Sequence, residues 1–88
     1  MNEDVLILDY LRQQKLQGIR FLYSRYADSM ELIASYLLGD RAKAKSIVGD
    51  VVWNLWLEKK FVDVDPPLRK FLYREIAKAC NEALNHTA

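Results

Sequence analysis

Apolar side chains recur along this chain at the spacing of helical faces rather than of strands. A first, shorter helix is predicted over about 4–14, with Val5, Leu8 and Leu11 inward and Ile7 turned outward. A long amphipathic helix follows over about 16–38, its stripe running through Ile19, Leu22, Tyr23, Tyr26, Met30, Ile33, Ala34 and Leu37.

Gly39 then stands where a left-handed C-cap is wanted, and Asp40 where a carboxylate accepts the free N–H groups of a new helix. The two helices should therefore meet at a tight corner. A third helix over about 41–59 carries Ala44, Ile47, Val48, Val51, Val52, Leu55 and Trp56, and frays near Lys59 and Lys60. Gly49 inside it costs about 1 kcal/mol relative to Ala, which suggests that something approaches that backbone closely. Phe61, Val62, Asp63, Val64 and Asp65 form an irregular connector ending in Pro66 and Pro67, residues tolerated in a helix's first turn. The last helix, over about 66–84, buries Leu68, Phe71, Leu72, Ile76, Ala79 and Ala83 and frays from Asn85 onward. An all-α fold, a compact bundle of three to four helices in one domain over 1–88, is the expectation.

Composition narrows the chemistry. The 88 residues are 51% hydrophobic and 28% charged, near the globular average and far from disorder. A chain of this length buries only about 60 to 65 per cent of its unfolded surface, so the core is thin. Thirteen Lys and Arg oppose twelve Asp and Glu, so any affinity for nucleic acid must come from local patches. The single cysteine, Cys80, has no internal partner, and one histidine, His86, makes no zinc ligand set. No catalytic constellation, metal or cofactor is implied: Asp63 and Asp65 lack a nearby His, metal ligands or a phosphate cradle, and read as loop-solvating. The run Val5 to Leu8 is too short for a secretion signal and follows Glu3 and Asp4 rather than basic residues, so no targeting or membrane segment is read. A reducing cytoplasm fits these features.

Two surfaces remain as candidates. On the last helix Lys70, Arg74 and Lys78 align at steps of four, with Asn81 and Asn85 continuing the stripe. On the third, Trp53 and Leu57 lie beside the buried face, a partner surface or the seam of a weak homodimer. Trp56 reads as core.

Several strings resemble the second conserved region of extracytoplasmic-function sigma factors. Phe21 to Ala27 resemble that family's "LYxRYA" segment, and Tyr36 to Asp40 its "xxLLGD" helix end. Ala44, Ile47, Val48, Asp50, Val51, Leu55 and Trp56 follow its "AEDIVQEVFLRLW" helix. Pro67, Leu68, Arg69, Phe71, Leu72, Tyr73, Arg74, Ile76 and Ala77 echo its "PLRAWLYRIA" helix. The likeness spans about 16–80 in the family's element order.

The resemblance implies a transcription initiation module. Its third helix would bind the core of RNA polymerase on the β′ clamp helices through Ser46, Gly49, Asp50 and Trp53, and its last helix and connector would recognise and open the promoter minus-ten element. Phe61 and Tyr73 would lie near a flipped base, Arg69, Lys70, Arg74 and Lys78 on phosphates, and Asn81 on a base edge. Three or four phosphate contacts give a slope of log affinity against log salt of only about 2 to 4. An anti-sigma factor is a further implied partner.

The chain departs from the family pattern at Lys45, Ser46 and Gly49, where acids and a Gln are usual, at Ala79, usually Asn, and at Asn85, His86 and Thr87, usually basic. Such changes motivate an alternative, a degenerate sigma-like regulatory or protein-interaction domain that does not read DNA. Trp53 and Leu57 motivate a third, a plain dimerisation domain. The chain ends where the family's linker and helix-turn-helix domain begin, as an excised domain or a natural single-domain relative.

Overall fold

The helices start and stop where local chemistry gives unpaired backbone groups a partner. The computed structural model describes residues 2–86 and contains α1 (Glu3–Arg12), α2 (Leu16–Leu38), α3 (Arg41–Leu57) and α4 (Leu68–His86), with no strand among the described residues. The Asn2 side chain accepts the Asp4 N–H at the start of α1. Gly39 takes up the left-handed conformation at φ 69°, and Asp40 Oδ1 accepts the Lys43 N–H at 3.0 Å, so the α2–α3 corner forms as the sequence predicts.

Two other helix ends use the left-handed turn without glycine. The N–H of Lys60 reaches back to the Leu55 carbonyl across Lys59 (φ 57°), and that of Lys15 to the Tyr10 carbonyl across Gln14 (φ 59°). Both are the helix-ending loop in which the residue past the cap turns left-handed. Hence α3 stops at Leu57 and α1 at Arg12, each two residues short of expectation. Helix α4 begins at Leu68, two residues later than expected, because both prolines belong to the connector, and it continues through His86. Thr87 and Ala88 lie outside the described residues.

Packing follows rows of residues four apart. Gly18, Leu22, Tyr26, Met30 and Ala34 form the buried row of α2; Ala44, Val48 and Val52 that of α3; Leu68, Leu72, Ile76 and Cys80 that of α4. Helix α2 touches all three others and, at about 1.5 Å per residue, spans most of the 42 Å long axis. Cys80 closes the buried row of α4, where burial pushes its thiol pKa up.

Helix α1 keeps Leu8 and Leu11 inward as expected but exchanges Val5 and Ile7. Ile7 is 3% exposed and Val5 50%, the reverse of the sequence reading. The buried face is Asp4, Ile7, Leu8 and Leu11, whose spacing of three, one and three is that of one helical stripe with an acid in its first position. Leu37 likewise points outward, and its neighbour Leu38 packs against the core in its place. Among the described residues no helix is long and apolar enough to cross a membrane.

Gly18 marks the closest approach of α1 and α2, since a Cβ there would stand 2.8 Å from Leu11 Cδ2 and 3.0 Å from the Leu11 backbone nitrogen. Gly18→Ala is expected to cost about 1–3 kcal/mol by overpacking, whereas Lys59→Gly relieves about 1 kcal/mol of left-handed strain. Urea denaturation checks both: the midpoint falls for the first and rises for the second, and unchanged midpoints contradict these two contacts.

Candidate nucleic-acid interface

The start of α4 is fixed by a residue 64 positions away in sequence. Asp4 is 4% exposed; its Oδ2 accepts the Leu68 N–H at 3.1 Å and its Oδ1 accepts the Tyr26 hydroxyl at 2.6 Å. A carboxylate at a helix N-terminus satisfies an orphan donor and complements the helix dipole. Arg25 completes the group: its Nε is 3.5 Å from Asp4 Oδ1 and 3.3 Å from the Tyr26 oxygen, its guanidinium lies over the Tyr26 ring, and it pairs with Glu3. The Tyr26 phenol pKa is raised, by burial first and by the Asp4 hydrogen bond second, with Arg25 opposing.

With α4 anchored there, its exposed side chains fall around two adjoining open clefts. One, of about 530 Å³, is lined by Arg25, Tyr26, Pro67, Arg69, Lys70 and Tyr73, with Asp4 at its base. The other, of about 580 Å³, lies against the connector and is bordered by Lys60, Asp63, Asp65, Lys70 and Arg74. Lys70 is common to both. Tyr73 is half-buried against the core and presents its remaining surface to the first cleft.

The two clefts differ in charge. In the first, Arg69 and Lys70 join an Arg25 already paired with acids; in the second, Asp63 and Asp65 offset two of the three cations. Lys78 lies in a groove between α3 and α4 that also holds Glu58, Glu75 and Glu82, with Lys60 at the side shared with the second cleft. The expected row Lys70, Arg74, Lys78 is thus split, and only its first two members share a cleft. Asn81 and Asn85 are exposed farther along α4.

Phe61 stands against the sequence expectation. It is 2% exposed and packs edge-on against Phe71 with ring centroids 5.9 Å apart, so it is a core residue beneath the connector and offers no face to a base. Of the two aromatic groups expected beside a flipped base, Tyr73 alone has an accessible surface.

On α3, Ser46, Gly49, Asp50 and Trp53 follow one stripe. Trp53 is 51% exposed, Leu57 extends the apolar surface beyond it, and Trp56 is half-buried against the core. The close approach expected at Gly49 is absent within the chain: its nearest neighbour is the Tyr23 hydroxyl, 3.6 Å from where a Cβ would stand, an ordinary contact. The Tyr23 phenol pKa is raised by burial and then by the charges of Glu31 and Asp50. Lys45 is exposed on the same helix. Among the described residues no three His, Cys, Asp or Glu side chains gather as a metal site requires.

Sequence reasoning missed Asp4, Arg12 and Arg25. Asp4 had a signal, its place on the 4–7–8–11 stripe; the contacts of Arg12 and Arg25 join segments far apart in the chain and left none. Comparison of the chain with protein-family models, curated proteins and solved structures returns no match.

Phe61→Ala is expected to cost about 3–5 kcal/mol of stability by opening a core cavity. Chemical denaturation checks this, and an unchanged midpoint contradicts the buried placement.

Proposed function

We propose that this chain is a transcription initiation module that holds an unpaired DNA strand at the start of α4 and docks on the core of RNA polymerase, at its β′ subunit, through the exposed stripe of α3. The observation that carries the reading is Lys70 at the junction of two clefts, with Arg69 and Tyr73 on one side and Arg74 on the other. Cations next to an accessible aromatic face are the combination that grips single strands: phosphates on the charges, a base stacked on the ring. The likeness of residues 16–80 to sigma-factor region two points the same way.

Mechanistically, Arg69, Lys70 and Arg74 take phosphates and position the strand, while Tyr73 receives one unstacked base, a contact worth about 1–3 kcal/mol. Asn81 offers a donor and an acceptor to a base edge farther along. Lys78, among three acids, contributes little attraction. About three phosphate contacts predict a salt slope near 2 for a single strand, so binding by the chain alone is weak.

A second reading, a protein-interaction or regulatory domain that does not bind DNA, is favoured by the exposure of Trp53 and Leu57 and by the acids Asp63 and Asp65 beside the cations.

Fluorescence anisotropy with single- and double-stranded oligonucleotides carrying a minus-ten element decides between them. The single strand is expected to bind more tightly than the duplex, with affinity falling about tenfold in Tyr73→Ala, equivalent to ~1.4 kcal/mol. Absence of binding at low salt, together with retention of polymerase core in a pull-down, favours the second reading; no interaction in either assay overturns the proposal.

A further inference from the structure

Helix α1 has only ten residues, and isolated helices below about 12 to 15 residues are marginal in water. Its order therefore depends on docking, which Ile7, Leu8 and Leu11 supply from its middle. The two ends of α1 reach the same neighbouring segment. At its start Asp4 Oδ2 accepts the N–H of Leu68, the residue that follows the connector. At its end Arg12 donates from Nε to the Val62 carbonyl at 3.2 Å and from Nη2 to the Val64 carbonyl at 2.6 Å.

Within the connector itself the ties are slight. The N–H groups of Val62 and Val64 bond to the carbonyls of Lys59 and Phe61 at 3.3 Å each, and only Phe61 and Val64 are sunk in the core. Lys60, Asp63 and Asp65, which form one wall of the cleft with Lys70 and Arg74, sit on exposed stretches between those anchors. The position of that wall relative to α4 is then set mainly by what holds the carbonyls of residues 62 and 64 and the first N–H of α4.

We infer that α1 is a two-point clasp, with Arg12 and Asp4 as positioning residues that hold the connector and the start of α4 in the relative placement that shapes the cationic cleft. Both ties belong to one short helix, so displacing α1 withdraws them together and couples the state of the N-terminal segment to the cleft. The clasp stands on the geometry alone; its effect on DNA rests on the function proposed above.

Amide hydrogen exchange by NMR on the full 88-residue chain, read beside single-strand affinity for the same oligonucleotides, tests both parts. Arg12 is exposed, so Arg12→Ala is expected to keep the fold; exchange at Val62 and Val64 should quicken by about fivefold or more while Met30 and Leu72, inside helices, stay unchanged. Affinity for the single strand should fall by about threefold, with Arg12→Lys between the two because it supplies one tie in place of two. Asp4→Asn, which keeps an oxygen for the Leu68 N–H, should quicken exchange less than Asp4→Ala.

Unchanged exchange at Val62 and Val64 in Arg12→Ala, or at Leu68 in Asp4→Ala, overturns the clasp. Quickened exchange with unaltered affinity overturns the positioning role. If the wild-type chain binds no single strand, the proposed function falls while the exchange data still decide the clasp.

Discussion

The arrangement depends on one buried carboxylate. Burying an ionised acid is expensive unless it is paired and hydrogen-bonded. Asp4 meets that requirement with the Tyr26 hydroxyl from α2, the Leu68 N–H from α4 and the nearby Arg25 guanidinium. Two partners are neighbours on α2 and the third opens α4, so one side chain of α1 ties three helices, and a helix that begins after two prolines receives its cap from a residue 64 positions away. A core built only from the rows of Leu, Val, Ala and Ile would bring the helices together without fixing where α4 starts; the carboxylate sets that register.

From that anchor the rest of the surface follows. Because Leu68 is pinned, Arg69, Lys70 and Tyr73 are presented in the first turns of α4, around one opening, and the connector is folded back so that Phe61 fills the core while Lys60 and two acids remain outside. The cationic area is small and partly neutralised, since Asp63 and Asp65 stand beside Lys60, Lys70 and Arg74. Under the proposed function such a surface gives weak, local contact with a strand, and the exposed stripe on α3 is where a larger partner would supplement it.

Much of the fold was legible from spacing because α2, α3 and α4 carry rows long enough to define a face, and because Gly39 and Asp40 are unambiguous as cap residues. The errors have physical causes. In α1 the expectation holds for Leu8 and Leu11 but exchanges Val5 and Ile7, because the buried stripe opens with an acid, and an acid reads as solvent-facing until its distant partners are known. The helices end at Arg12 and Leu57, short of the expected bounds, because Gln14 and Lys59 turn left-handed, a conformation that glycine announces and these residues do not. The expectation for Phe61 rests on the resemblance, since a lone aromatic in an irregular segment carries no periodicity of its own, and the Lys70, Arg74, Lys78 row leaves out Glu75 and Glu82 on the same helix and Glu58 at the end of α3, which lie beside Lys78. The candidate site was therefore legible as a helix face but not as a set of clefts.

The most direct measurement of the central claim is a double-mutant cycle between Asp4 and Tyr26, with Asp4→Ala, Tyr26→Phe and the pair compared by urea unfolding. A buried carboxylate that couples the helices predicts an interaction energy of about 1 kcal/mol or more. Losses that add to within about 0.3 kcal/mol would contradict it.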